Sequence, residues 1–377
     1  MFLSGGALVH AQAYARSQPV PPPPPWWYTL EEGKNYFRSG AYASALISFE
    51  DARRRREERF TRYEQDMILI MSMPEVRRLG DSLEYLEWYI ETTHRTEAAA
   101  ALQELYYRVP KQNLRGLASR ALEEFDRLKA YPEAEYWLGE SYRVEGELSL
   151  AINQYRKAYS HRDLLEVPDF AIEILYKLAQ VHRQKQEYQE MENSLLDILR
   201  QKSGAVSGGQ GIYWIAEGNS INAAMLRTLA NNGIDRFLLL YRNDNAQVEY
   251  AHRLLGLYYY AAARHEPAAE HLMFSFLIQN TLLINEARRQ MYNYEYTTLD
   301  DLMRVLSRRT DLIEWMDSVE YYRTAYYLAA SLFATGRPLP AQQIWTFVAG
   351  RTEAGEWQGK SAVQLASPFI ERAIEQP

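Results

Sequence analysis

The chain contains no cysteine, and its 7 histidines are scattered over 377 residues. The first absence excludes disulfide bonds, thiol catalysis and cysteine-ligated zinc. The scattered histidines form no group with metal-ligand spacing, so the sequence predicts no metal site. Because a cysteine-free chain suits both the cytosol and an oxidising space, this absence leaves the compartment open.

Long apolar runs are also missing. The best candidate, Leu254–Ala263, lies between Arg253 and Arg264 and is about half the length of a membrane-spanning helix. We therefore expect no transmembrane segment. Basic residues do not dominate either, since 42 Lys and Arg stand against 49 Asp and Glu. Nucleic-acid-binding domains are usually basic, so nucleic acid is not an expected partner.

Complete catalytic motifs are not found. His161-Arg162-Asp163 is similar to a kinase catalytic loop, but the other kinase motifs are missing. The histidines near residue 265 lack the spacing of a zinc-protease motif, because Ala269 stands where the second histidine is needed. The sequence predicts no catalytic residue, no cofactor and no enzymatic activity. The alternative is a helical-toroid enzyme acting on envelope glycans, with Glu140 or Glu217 as the first candidates.

The N-terminus has the features of an exported protein. Residues 2–9 are mostly apolar and small, and A-x-A patterns follow at 11–13 and 13–15. This arrangement predicts a signal peptide at 1–18, although a basic beginning is lacking. Residues 19–25 form a proline-rich linker that favours an extended polyproline conformation. We expect a periplasmic or otherwise exported protein; the alternative is a cytosolic one.

What the chain does contain is a duplicated spacing of small and aromatic residues. Seven positions are separated by 3, 4, 2, 3, 4 and 3 residues in two places. The first copy is Gly33, Tyr36, Gly40, Tyr42, Ala45, Phe49 and Ala52; the second is Gly139, Tyr142, Gly146, Leu148, Ala151, Tyr155 and Ala158. Matched spacing of this kind indicates a helical repeat.

Further copies of the pattern follow less completely. They begin near Leu175, Leu255 and Ala325, and a degenerate copy spans 82–110. Segments 60–73 and 114–129 are predicted to be helical but fit no full repeat, and residues 212–241 are the least regular part. The sequence predicts a helical domain at 26–202, a Gly/Ser loop at 203–211 and a second helical domain at 212–377.

These residues resemble the tetratricopeptide repeat (TPR). The resemblance implies an all-α solenoid of antiparallel helix pairs, wound as a right-handed superhelix. Its glycines let the second helix of a pair approach the first, and its aromatic residues fill the space towards the next repeat. The leader, the proline spacer and Trp26-Trp27-Tyr28 also look like periplasmic TPR scaffolds of spirochaete flagellar motors.

The resemblance further implies a concave groove lined by the first helix of each pair. Partner-binding positions carried over from the family fall on Lys34, Phe37, Tyr136, Glu140, Arg143, Tyr176, Gln180, Arg183, Arg253 and Tyr260. Tyr and Arg are enriched at the energetic centres of protein interfaces. The alternative interpretation is that these tyrosines pack against neighbouring helices. The positions lack the Lys and Asn of chaperone-tail clamps, which disfavours that specialisation.

The expected function is therefore a non-catalytic scaffold that binds a peptide or helix of a protein partner. An envelope or periplasmic assembly factor, as part of a larger envelope assembly, fits the leader best. Besides the glycan-acting enzyme, a cytosolic peptide-sensing regulator is the remaining alternative.

Overall fold

The computed structural model describes residues 24–72, 117–203, 220–306 and 309–371. In these ranges every regular element is a helix and no strand occurs, which confirms the predicted all-α class. No helix in them combines the length and hydropathy needed to cross a membrane. The chain divides into two compact units, Met1–Leu165 and Glu166–Pro377.

Within its described residues, the first unit contains two helix hairpins and one further helix. Its helices are α1 Trp26–Arg38, α2 Tyr42–Ser72, α3 Leu117–Leu128, α4 Pro132–Val144 and α5 Leu148–Ser160, followed by a short 3₁₀ turn at Arg162–Leu164. Its core brings α1, α2 and α4 together, because Leu30, Phe49 and Leu138 belong to one buried cluster. Trp137 packs on this cluster and contacts Phe37 and Phe49, with ring centroids at 5.4 and 5.9 Å.

The second unit is larger and contains three hairpins with additional helices between them. Its helices are α6 Phe170–Gln184, α7 Tyr188–Ser203, α8 Ser220–Leu240, α9 Ala246–Ala261, α10 His265–Gln290, α11 Leu299–Leu306, α12 Thr310–Ser318, α13 Tyr321–Ala334, α14 Pro338–Ala349 and α15 Glu356–Ala366. The long helix α10 packs against α8, α9, α11 and α13. It is buried along most of its length and forms the centre of this unit.

The same turn closes each of the five hairpins in the described part of the chain. In each turn the second residue after the end of the first helix has a positive φ. Two backbone N–H groups of the turn donate hydrogen bonds to carbonyl oxygens near the end of that helix. In the first hairpin Gly40 N–H donates to Phe37 O at 3.1 Å and Ala41 N–H to Tyr36 O at 2.9 Å. This is the Schellman arrangement that caps helices, where glycine avoids the steric cost of positive φ. The equivalent residues are Gly40, Gly146, Gln186, Ala263 and Gly336.

Close approach of the paired helices depends on glycine, as the sequence predicted. A Cβ placed on Gly33 would lie 2.6 Å from the ring of Phe49, and one on Gly139 would lie 2.7 Å from the ring of Tyr155. The aromatic ring of the second helix therefore packs directly against the glycine of the first helix in the same hairpin. Phe49 also contacts Trp137 of the next described hairpin, as expected for an aromatic residue that fills the space between repeats.

Buried positions recur with the turns. Five, nine and twelve residues after the positive-φ residue, the second helix is buried in every hairpin. These positions hold Ala45, Phe49 and Ala52; Ala151, Tyr155 and Ala158; Met191, Leu195 and Ile198; Ala268, Leu272 and Ser275; and Ala341, Trp345 and Val348. The hairpins thus share one internal packing pattern although their residues differ.

Two segments outside the repeat pattern are helical. Segment 60–72 continues the second helix of the first hairpin, since α2 runs without interruption to Ser72. The stretch expected to be least regular is largely helix α8, which is kinked at Gly233 with φ 78° and ψ 173°. Residues 1–23, 73–116 and 204–219, with the leader, the degenerate copy and most of the Gly/Ser loop, lie outside the described residues.

The boundary between the two units differs from the one predicted at 203–211. It falls between Leu165 and Glu166, because the third hairpin packs with the helices that follow the loop. Tyr259 of α9 donates a hydrogen bond to Glu192 of α7 at 2.8 Å, and Tyr258 stacks on Tyr188 with centroids 5.9 Å apart. The Gly/Ser loop predicted at 203–211 lies almost wholly outside the described residues and stays a prediction.

Candidate functional site

A cavity of about 730 Å³ opens in the second unit, between the end of α12, the start of α13 and segment 353–371. The helix α13 is the first helix of the fifth hairpin, so this wall belongs to the class of helix expected to line a groove. The remaining walls come from chain that follows the last repeat. The cavity therefore combines a repeat element with residues outside the repeat pattern.

Aromatic rings form the inner wall of this cavity. Trp357 of α15 is half-buried and contacts the rings of Tyr326 and Tyr327, with centroids 5.4 and 5.7 Å away. Tyr322 is 4% exposed, and its hydroxyl is buried near the Glu353 carboxylate. Burial raises the pKa of Tyr322, and the nearby Glu353 carboxylate raises it further. The ring wall thus presents one buried hydroxyl that remains protonated at neutral pH.

The cavity is rich in carboxylates. Its lining has two cations, Arg323 and Lys360, and both are paired: Arg323 with Glu320 at 2.8 Å and Lys360 with Glu356 at 2.9 Å. The carboxylates are Asp317, Glu320, Glu353, Glu356 and Glu371.

Three of these carboxylates have no cationic partner within the described residues. Glu371 accepts hydrogen bonds from Tyr326 and from Tyr327, the latter at 3.3 Å. Glu353 accepts one from the Thr352 hydroxyl at 3.2 Å, and Asp317 is exposed. Burial first, and then Glu371, raises the pKa of Tyr327. The lining therefore carries uncompensated negative charge.

The groove positions predicted in the first hairpin are partly exposed. Lys34 pairs with Glu31 at 2.5 Å, and Phe37 packs between Tyr42 and Trp137. Both side chains keep part of their surface in solvent.

In the second hairpin the predicted residues bind one another. Both Nε and Nη2 of Arg143 donate to Glu140, at 3.1 and 2.8 Å, and Tyr155 also donates to Glu140. The Glu140 carboxylate raises the pKa of Arg143. Tyr136 is 5% exposed and packs on the Trp137 and Tyr155 rings. The guanidinium of Arg143 is therefore already paired with a carboxylate of the same helix, that of Glu140.

Glu140 was also a candidate catalytic acid for the glycan-acting alternative. It is 5% exposed and hydrogen-bonded on both oxygens, an environment that does not favour proton donation to a substrate. The other candidate, Glu217, lies outside the described residues. No group of three His, Asp or Glu side chains in the described ranges is placed to hold a metal ion.

The third hairpin has two partly exposed polar positions among those predicted. Tyr176 is engaged by α9: its hydroxyl donates to Gln247 O at 2.6 Å and accepts from Ala251 N–H at 3.2 Å. Gln180 and Arg183 are partly exposed. Arg183 forms no ion pair with any described residue.

The fourth hairpin, in contrast, has buried its predicted positions. Arg253 is 6% exposed and bound by Glu249, at 3.3 Å, and by Glu320. Tyr260 is 2% exposed and packs on His265 and Tyr327. Burial, together with Glu371, raises its pKa to about 12. Tyr136 and Tyr260 pack against neighbouring helices, as in the alternative interpretation of the groove positions. Arg253 is buried in a similar way.

Sequence analysis missed Trp357, Lys360 and Glu371. They follow the last repeat, so no periodic signal marked them. The one available signal was local: Trp357 and Lys360 are three residues apart, which places them on the same face of a helix. Which helix covers them could not be deduced from that spacing.

Comparisons with known proteins give relatives without an assigned role. The chain is 25% identical over 291 residues to a Treponema pallidum protein described as uncharacterized, covering 76% of this chain and 75% of that protein. A Borreliella burgdorferi protein with the same description is 23% identical over 236 residues, covering 59% and 72%. No family model matches. The two relatives show similarity to spirochaete proteins and nothing about function.

Proposed function

We propose that this protein is a non-catalytic, TPR-like scaffold whose helix hairpins stack as a superhelix and bind a peptide or helix of a partner. One observation carries the proposal: the five described hairpins share the same turn and the same three buried positions, and in three of them a glycine lets the paired helices approach closely. Repeated hairpins of this kind build extended surfaces for protein partners.

The proposed partner-binding positions lie on accessible faces of hairpins, and each compact unit contributes its own positions. Lys34 and Phe37 represent the first hairpin, Arg143 the second, and Gln180 with Arg183 the third. Arg183 is the strongest of these positions, because its guanidinium has no ion pair among the described residues and can take a carboxylate in bidentate fashion. Arg253 and Tyr260 are buried and are left out of this surface.

Photo-crosslinking in the native cell tests the partner surface. Benzoylphenylalanine at residue 183 should crosslink to one discrete protein, and Arg183→Glu should remove that partner from a pull-down of the intact chain. Arg236 is the matched control, because it is another exposed arginine of the second unit without an ion pair there. Equal crosslinking at 183 and 236 would contradict the assignment.

The proposed location is the envelope, as part of a larger assembly. The support is the sequence of the leader at 1–18 and the proline linker. The similarity to proteins of two spirochaetes makes the flagellar motor a reasonable assembly to examine. Mass spectrometry of the mature N-terminus tests export directly: cleavage near residue 15 is expected, and an intact Met1 contradicts it.

A further inference from the structure

We propose that the cavity beside Trp357 binds a lysine or arginine side chain of the protein partner. This inference rests on the scaffold function and adds a second contact point to it, away from Arg183. The residues that carry it are Trp357, Lys360, Tyr322 and the carboxylates without counter-ions.

Charge is the first argument. Both cations in the lining are already paired, while Asp317, Glu353 and Glu371 have no cationic partner in the described chain. Carboxylates around a half-enclosed space focus a negative potential and attract a cation. An acidic ligand would meet the same potential as repulsion, so the cavity selects against it.

The ring of Trp357 is the second argument. Lys360 places its ammonium 4.1 Å from the centroid of this ring while Glu356 pairs with it at 2.9 Å. The site therefore already has the geometry for an ammonium between an aromatic face and a carboxylate, the arrangement that recognises organic cations. The Lys360 side chain is 41% exposed, so a partner's cation can displace it at small cost.

The ring of Tyr322 is the third argument. It lines the cavity, is almost fully buried and has its hydroxyl near the Glu353 carboxylate. An aromatic ring beside a carboxylate is the combination that attracts organic cations.

The dimensions fit a side chain presented by a protein better than a bare ion. About 730 Å³ lies within the usual range for ligand pockets and holds a lysine side chain with its neighbouring residues. A metal ion does not fit these walls, because in the described ranges no three His, Asp or Glu side chains are close enough together to coordinate it.

Binding of small probes tests the inference. The probes are Nα-acetyl-lysine-N-methylamide, its arginine counterpart and the uncharged norleucine counterpart, titrated into the full chain. The indole N–H resonance of Trp357, assigned with Trp357→Phe, reports occupancy. Saturable shifts with the lysine or arginine probe and none with norleucine are expected; equal shifts with norleucine overturn the proposal.

Variants separate the contributions. Asp317→Asn, at an exposed position, should lower the affinity for the lysine probe about threefold. Lys360→Gln should raise this affinity by a similar factor, because it removes a competing cation. Glu314→Gln is the matched control, because Glu314 is an exposed carboxylate on the same helix α12 outside the cavity. If Asp317→Asn and Glu314→Gln act alike, the local site is contradicted.

The outcomes for this cavity and for the scaffold are distinguishable. Absence of probe binding with crosslinking at residue 183 intact would reject the cation site and keep the scaffold. Loss of crosslinking at residue 183 with specific binding of the lysine probe would reject the scaffold surface at Arg183 and keep the cation site.

Discussion

The first and fourth hairpins have the same internal geometry and opposite surroundings. Gly33 and Gly256 both let the second helix approach closely, and residues 40 and 263 form the same turn. Lys34 nevertheless stays partly in solvent, whereas Leu257 at the equivalent position is fully buried. The spacing of small residues determines how two helices pair, and other parts of the chain determine what covers the pair.

The largest expected effect comes from the charged residues of these two hairpins. Arg253→Ala should destabilise the second unit by about 3–5 kcal/mol, because it removes a counter-ion from Glu249, whose pKa burial already raises. Lys34→Ala should cost less than about 0.5 kcal/mol, because its pair with Glu31 is solvent-exposed. Urea unfolding measures both; similar losses would show that the hairpins are equally covered.

Acid should affect the fourth hairpin through two histidines. His252 and His271 face each other with their Nδ1 atoms 2.9 Å apart, and both are fully buried. Burial, with the His271 charge, lowers the pKa of His252, and burial, with Arg264, lowers that of His271 to about 3. The first hairpin holds Thr29 and Ser48 at the equivalent positions, so it lacks this sensitivity.

The lowered pKa values of the two histidines determine how stability changes with pH. Since the unfolded chain binds the protons more tightly, stability is complete above about pH 6.5 and falls as the pH decreases towards 3. Each imidazole should contribute about 1.4 kcal/mol of loss per pH unit. Thermal unfolding between pH 7 and 5 measures the slope, and His271→Leu should reduce it. An unchanged slope would place the sensitivity elsewhere.

Alanine at the two glycines compares the tightness of the helix contacts. A Cβ at Gly256 would lie 2.5 Å from Leu272 Cγ and 3.1 Å from the Leu272 backbone nitrogen, so Gly256→Ala should cost about 1–3 kcal/mol. Gly33→Ala should cost less than about 1 kcal/mol, because α1 has an exposed outer face and can shift. Chemical unfolding is the measurement, and a larger loss at Gly33 would reverse the comparison.

Exchange of the turn residues gives the smallest effect. Ala263 has φ 57° and Gly40 has φ 80° in the same turn. Ala263→Gly should raise stability by about 0.5–1 kcal/mol, and Gly40→Ala should lower it by a similar amount, since alanine is strained at positive φ. Differential scanning calorimetry detects both. Destabilisation by Ala263→Gly would mean that the alanine methyl group contributes packing.

The hairpins could be predicted from sequence because their determinants are local. A glycine or alanine seven residues before the turn, and small or apolar residues at fixed distances after it, identify each pair. Gln186 and Ala263 made two turns harder to recognise, since hydrogen bonding and packing, rather than glycine, hold them at positive φ.

The candidate site could be predicted only in part. Lys34, Phe37, Gln180 and Arg183 lie where a groove position should be accessible. Arg253 and Tyr260 do not, because Glu320 and Tyr327, far along the chain, cover them. The cavity at Trp357 depends on how the segment after the last repeat returns to α13, and no spacing in the sequence determines that.

The length of α10 limits how the second unit can be divided. Its 26 residues extend about 39 Å, whereas the 16 residues of α9 extend about 24 Å. Leu283, Ile284 and Ala287, near its end, are buried. A chain truncated after Gln290 would expose this apolar end. Deleting the hairpin that contains α10 would therefore remove the centre of the second unit, and this unit should be expressed and unfolded as a single piece.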